Sequence, residues 1–192
     1  MKELILASAS PRRKELLGLL TEDFEIEVSQ AEEEAQAPAD LPIKEHPGFF
    51  AKVKAEDIAR SHPDQLVIGS DTGVLVEDEN GELQMLGKPV DEEDARRMLR
   101  ALSGKTHQVI TGVCLMTIDS QKAFATVTDV TFCHLSEEEI GYYVERYRPM
   151  DKAGSYGIQE WIGFVGVESI SGSYFNVMGL PIQRLYTELK KL

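Results

Sequence analysis

Apolar residues along the chain switch between two spacings. Lys2 to Ala7, with its run Leu4-Ile5-Leu6-Ala7, predicts a buried strand, and Ser8-Ala9-Ser10 is a turn of small hydroxylated residues. Pro11 to Leu17 opens a helix, with Ser10 as N-cap and Pro11 in the first turn, where a missing N–H costs nothing. Phe24, Ile26 and Val28 alternate with acids and predict a half-buried strand from Phe24 to Ser29. The acidic stretch Gln30 to Leu41 predicts an exposed loop. Phe49, Phe50, Val53 and Ile58 fall at helical spacing between Pro47 and Arg60, and Pro63 stops that helix. Leu66-Val67-Ile68-Gly69 predicts a short strand that breaks at Ser70-Asp71-Thr72 and resumes as Val74-Leu75-Val76, before a hairpin turn at Asp78-Glu79-Asn80-Gly81.

The second half continues the alternation. A helix is predicted from its cap Asp91 to Gly104. Thr106 to Thr117 and Lys122 to His134 predict a long hairpin turning at Asp119-Ser120. Ser136 with Glu139 is a capping box for a helix through Arg146. Asp151 to Gly157 predicts a Gly-rich loop, Trp161 to Ile170 a strand, and Pro181 the start of a closing amphipathic helix. Strands alternating with helices indicate an α/β protein, and no repeat, low-complexity segment or linker interrupts it.

Charge narrows the function. The 192 residues carry a formal net charge of -13. Gripping a nucleic-acid backbone or an anionic membrane needs a broad basic face, so neither is expected as a partner. Against that balance, Arg12, Arg13 and Lys14 stand at the start of the first helix, where the dipole favours acids. A strand, a small-residue turn, free helix N–H groups and two arginines suit a phosphate; the alternative is that these side chains are simply solvated. The N-terminus shows no signal-peptide pattern and no run approaches membrane-spanning length, so the cytoplasm is the expected location. Cys114 and Cys133 fit it. With a turn at Asp119-Ser120, Cys114 faces Ala125 and Cys133 faces Thr106, too far out of register for a disulfide, and both are expected to be buried and reduced.

Asp71 is the second chemical signal. A carboxylate at a strand break can bind a divalent metal or activate water, or can cap backbone N–H groups in an Asx turn. Glu32-Glu33-Glu34 offers a further metal ligand or a solvated face. Lys88 between Gly87 and Pro89 is rigidly presented, as a phosphate contact requires, and Lys54 lies near an aromatic stripe. Neither GxxxxGK[ST] nor GxGxxG occurs, the four histidines have no ligand spacing, and Ser8 and Ser10 lack evident His–Asp partners. The polar loop Asp151 to Gln159 suits a substrate contact or a tight connection.

Leu6-Ala7-Ser8-Ala9-Ser10-Pro11-Arg12-Arg13, Gly69-Ser70-Asp71-Thr72, Gly87-Lys88-Pro89, Leu102-Ser103-Gly104-Lys105-Thr106-His107 and Asp151-Lys152-Ala153-Gly154-Ser155-Tyr156-Gly157-Ile158-Gln159 follow one another in order. In combination they resemble the Maf family of nucleoside triphosphate pyrophosphatases over Leu4 to Leu189. The resemblance implies an α/β fold like that of the inosine triphosphate pyrophosphatases: an elongated twisted mixed sheet with flanking helices, a single domain over 1–192, in two lobes around a cleft. It implies that Ser8, Arg12 and Arg13 bind the triphosphate, that Lys54 and Lys88 contact phosphates, and that Glu33 holds a divalent metal, Mg²⁺ or Mn²⁺. Asp71 would be the base for water or a metal ligand. Arg12, Thr72 and Gln159 match the positions that set base preference. The Tyr-Gly-Ile-Gln ending is similar to the dTTP- and UTP-preferring subfamily, whose role is to clear modified pyrimidine nucleotides. Asp40 to Ala51 departs from the usual helix lead-in, which leaves Lys52 as a rival to Lys54. The same chemistry on 7-methyl-GTP or inosine-type purines, and a non-catalytic nucleotide-binding regulator of cell division, are the alternatives. A homodimer is consistent with the resemblance.

Overall fold

The computed structural model describes residues 3–31 and 35–192. Among the described residues the sheet is mixed, seven-stranded and flanked by helices. Its strands are β1 (Leu4–Ala7), β2 (Phe24–Ile26), β3 (Leu66–Glu77), β4 (Leu83–Leu86), β5 (Thr106–Met116), β6 (Gln121–Phe132) and β7 (Val167–Ser171). They are ordered β2-β1-β3-β5-β6-β7, with β4 added to β3. β1 is parallel to both β2 and β3, whereas the β3–β4 and β6–β7 pairs are antiparallel. Helices among the described residues are α1 (Pro11–Gly18), α2 (His46–Ala59), α3 (Glu92–Leu102), α4 (Glu137–Tyr147), α5 (Trp161–Gly166), α6 (Tyr174–Met178) and α7 (Ile182–Leu189). None is long and apolar enough to cross a membrane.

The chain forms two compact units. The first comprises Met1–Thr72, Thr111–Thr126 and Gly179–Leu192. Its core sets α2 on the sheet: Ala51, Ala55, Ile58 and Ala59 bury against Ile5, Ala7, Val67, Cys114 and Met116. Alanines at every fourth position make a flat helix face. Gly69 completes the fit, because a Cβ there would stand 2.1 Å from the Ala51 carbonyl oxygen. That close approach of helix to strand is what brings Lys54 over β3. Burial of Cys114 in this core pushes its thiol up to about 11, so it is an inert apolar side chain.

The second unit comprises Gly73–Ile110 and Val127–Met178. Asp91 caps α3, its side chain accepting from the Asp94 N–H at 2.8 Å. The capping box of α4 forms in full, with Ser136 and Glu139 exchanging bonds. Tyr143, wholly buried on α4, lies under the Gly-rich loop; its hydroxyl accepts from the Gly157 N–H.

Four expectations are corrected. Asp71 does not sit at a break: β3 runs without interruption from Leu66 to Glu77. Gly69 serves helix packing and not a turn, while the edge opens because β1, paired to β3 up to Ala7 and Gly69, leaves the sheet there. The β5–β6 turn is centred on Ile118-Asp119 and closed by Thr117 N–H to the Ser120 carbonyl at 2.9 Å. Thr106 therefore faces Thr131, their hydroxyls 2.8 Å apart, and Cys133 lies beyond β6, half-buried. The two cysteines remain free. Trp161 to Gly166 is a helix followed by a short strand, because Gly163 packs directly on the Ile158 carbonyl, where a Cβ would be 1.8 Å away. Finally, β2 stops at Ile26, and Ile26 and Val28 are both exposed.

Candidate active site

In the first unit, four segments meet around Arg13. β1 ends at Ala7, and Ser10 caps α1 so that Arg13 falls in its first turn. The guanidinium is 9 % exposed. Its Nε donates to the Gly179 carbonyl at 2.8 Å, and its terminal nitrogens donate to Ser8 Oγ at 3.1 Å and Thr72 Oγ1 at 3.0 Å. Gly179 also accepts from Ser70 Oγ at 3.3 Å. Thr72 Oγ1 lies 2.9 Å from Thr111 Oγ1 on β5. Arg12 is half-buried in the same first turn, and Lys14 is exposed.

Asp71 follows on β3. Lys54 reaches it from α2, with Nζ 2.9 Å from Oδ1 and 3.4 Å from the Ser70 carbonyl. Lys54 is 7 % exposed, whereas the Asp71 side chain is 20 % exposed, so the lysine is enclosed and the carboxylate reaches solvent. A close, well-buried ion pair orients the carboxylate through one oxygen. Lys52 points elsewhere: it is exposed and lines a polar groove of about 410 Å³ with Glu56, Arg60 and the Thr117–Gln121 turn. Ser8, Arg13, Thr72, Lys54 and Asp71 are thus assembled in one unit, while Lys88 and Gln159 belong to the second. Lys88 is exposed beside buried Pro89. Gln159 is half-buried, and its amide oxygen is fully buried with no hydrogen-bond partner among the described residues. Glu33 lies outside the described residues.

The donor set can be tested against a divalent metal. Among the described residues no group of three or more His, Cys, Asp or Glu side chains converges. Asp71 and the neighbouring carbonyls are hard oxygen donors. Mg²⁺ is commonly held by one or two carboxylates plus substrate phosphates, so a single solvent-reaching carboxylate fits it.

Several participants escaped the sequence reading. Gly179 lies 166 positions from Arg13, and neither it nor Ser70 or Thr111 carries a local signal for that meeting. Lys152 lies in the Gly-rich loop and Glu160 just beyond it, and both charges are visible in the sequence. Their union, with Lys152 Nζ 2.7 Å from Asp151 Oδ1 and 3.1 Å from Glu160 Oε1, is not.

The family model described as Maf-like protein matches residues 3–192. The chain is 58% identical over 191 residues to a dTTP/UTP pyrophosphatase of Phocaeicola vulgatus, covering 99% of this chain and 96% of the relative. It is 49% identical to one of Porphyromonas gingivalis, covering 98% and 93%, and 43% identical to one of Cytophaga hutchinsonii, covering 99% and 84%. Among solved structures, a HAM1 protein from Coxiella burnetii is similar in fold, with a TM-score of 0.52 and 18% identity, each chain covered over 100% of its length.

Proposed function

The chain belongs to the Maf-like protein family, and from that premise we propose that it hydrolyses the α–β phosphoanhydride of nucleoside triphosphates, foremost dTTP and UTP, to the monophosphate and pyrophosphate. The observation that carries the reading is Asp71, held by enclosed Lys54 one strand position before Thr72, which itself accepts from Arg13. A pure binding site has little use for a carboxylate beside phosphates, which it repels; a hydrolase needs one to orient water. A single catalytic domain over residues 1–192 belongs to the same proposal.

Each residue's role follows from its charge and contacts. A nucleoside triphosphate carries about four negative charges, which must be offset before water can approach phosphorus. Arg12, Arg13, Lys54 and Lys88 supply cations and Ser8 a hydroxyl. Lys54 holds Asp71 through Oδ1, so Oδ2 accepts the proton of the attacking water for in-line displacement at the α-phosphorus. Glu33 and Asp71 would hold the divalent metal, Mg²⁺ in preference to Mn²⁺; as a metal ligand Asp71 would act on the water indirectly instead of taking its proton. When bound, the metal offsets charge on the pyrophosphate leaving group. Gln159 reads the base: its buried amide oxygen accepts from the N3–H of thymine or uracil, a hydrogen that cytosine lacks. Arg12 and Thr72 complete the base-preference positions.

A cytoplasmic, pool-cleaning role for modified pyrimidine nucleotides belongs to the same proposal, as does a homodimer, for which the exposed Phe164, Val165, Tyr174 and Phe175 supply apolar surface. The test is pyrophosphate release from dTTP, UTP, CTP, 7-methyl-GTP and ITP, with Mg²⁺ and with chelator. Metal-dependent release favouring dTTP and UTP is expected. Preference for a purine overturns the assignment of Gln159, and no turnover of any substrate by folded protein overturns the reaction.

A further inference from the structure

Beside Gln159 the second unit contains a buried polar network that the phosphate chemistry does not use. Tyr143 is wholly buried on α4, yet its hydroxyl is doubly engaged. It donates to Glu160 Oε2 and accepts from the Gly157 N–H at 3.0 Å. Glu160 Oε1 lies 3.1 Å from Lys152 Nζ, which also donates to Asp151 Oδ1 at 2.7 Å. Lys152 is itself buried. The phenol therefore grips the loop two residues before Gln159 and one residue after it.

Three features argue that the network fixes a geometry and is not merely part of the core. Glu160 occupies the N-cap position of α5, but its side chain makes no capping bond and turns to Tyr143 and Lys152 instead. Gly157 leaves no room for a side chain above the pair, since a Cβ would come 2.9 Å from Glu160 Cδ and 3.0 Å from Lys152 Cε. Ser155, upstream in the same loop, is held at φ 59°, a left-handed conformation that costs a non-glycine residue energy. Buried charges of this kind are a poor route to stability compared with apolar packing, and their best-attested use is to specify one arrangement. Ile158, next to Gln159, is buried, so the backbone there is anchored from below while the amide oxygen of Gln159 stays unpartnered.

We propose that the Tyr143–Glu160–Lys152 network positions Gln159 and so sets the discrimination between thymine or uracil and cytosine. Tyr143 is a positioning residue: it acts on the base through Gln159 and touches no reacting atom. The proposal rests on the base-reading role given to Gln159 above.

Tyr143→Phe keeps the ring and removes both hydroxyl bonds. With the wild type assayed alongside on dTTP and CTP, the variant is expected to raise KM for dTTP about tenfold and to lower the dTTP-to-CTP ratio of kcat/KM about tenfold, with kcat for dTTP within about twofold. A general loss of packing would instead lower kcat for both substrates and leave the ratio alone. Glu160→Gln keeps an oxygen for Tyr143 while removing the charge opposite Lys152; about a threefold fall in the same ratio is expected, and it decides the matter should Tyr143→Phe fail to fold. Wild-type preference for dTTP with an unchanged ratio in the folded variants overturns the proposal and leaves the pyrophosphatase reading intact. A wild type that turns over neither dTTP nor UTP overturns that reading, and the proposal with it.

Discussion

Two of the buried cations, Arg13 in the first unit and Lys152 in the second, meet different kinds of oxygen. Arg13 donates to oxygens of Ser8, Thr72 and Gly179. Lys152 lies between the carboxylates of Asp151 and Glu160. Hydroxyl and carbonyl oxygens aim a guanidinium while adding no full negative charge of their own. Carboxylates neutralise an ammonium and turn it into a fastener. In the proposed reaction the first arrangement serves the triphosphate, whose charge is common to every substrate. The second serves the loop that distinguishes one base from another.

The sharpest break of this contrast is at Asp71. Asp71→Asn keeps an acceptor for Lys54, so the fold is expected to persist while kcat falls by about a thousandfold, measured as pyrophosphate release. Retained activity would remove Asp71 as the base. Lys54→Ala is expected to lower kcat/KM about a hundredfold, whereas Lys52→Ala, on the far groove, changes it less than about twofold; equal effects would return the choice between the two lysines to the start. Arg13→Ala strips at least three bonds, two of them buried, so a loss of about 3 kcal/mol in urea unfolding should accompany a raised KM and a lowered kcat. Unchanged stability and kinetics together would leave Arg13 without the role assigned here.

The last effect concerns pH. Burial pushes the His107 imidazole down to about 4, against partial opposition from Asp129. Nε2 bonds the Tyr156 hydroxyl at 2.7 Å, and Nδ1 is buried with no hydrogen-bond partner among the described residues. As pH falls below about 6.5 the unfolded chain takes up this proton while the native protein does not. Stability from His107 is thus complete above about pH 6.5 and is lost as pH falls towards 4, by up to about 3 kcal/mol. Urea unfolding between pH 7 and 4.5 should show a shallower pH slope in His107→Gln; identical slopes would exclude the imidazole as the source.

Local signals in the sequence were reliable wherever the cause was itself local. Ser136 and Glu139 lie within one helical turn, and their capping box forms as the pattern predicts. Ser10 does accept from the Arg13 N–H, at 3.5 Å, and Pro11 does open α1. The β5–β6 hairpin was legible, but its register was not, because Thr117 and Ser120 close the turn one position earlier than Asp119-Ser120 suggests. Trp161 to Ile170 reads as a strand by composition, but Trp161–Gly166, with Gly163 packed on the Ile158 carbonyl, is helical and the strand begins at Val167.

By itself, then, the sequence determined the α/β alternation, the caps, the family and the candidates Asp71, Arg12 and Arg13, because each depends on periodicity or on residues a few positions apart. Only the tertiary structure decided that Lys54 and not Lys52 meets Asp71, that β3 runs through Asp71 unbroken, and that Arg13 ties Ser8, Thr72 and Gly179 together. It also decided that Tyr143 clamps the loop around Gln159. The reason is physical: a helix face of alanines seated on Gly69 aims a lysine, and a carbonyl 166 positions away receives an arginine, through packing and hydrogen bonds that no local pattern encodes.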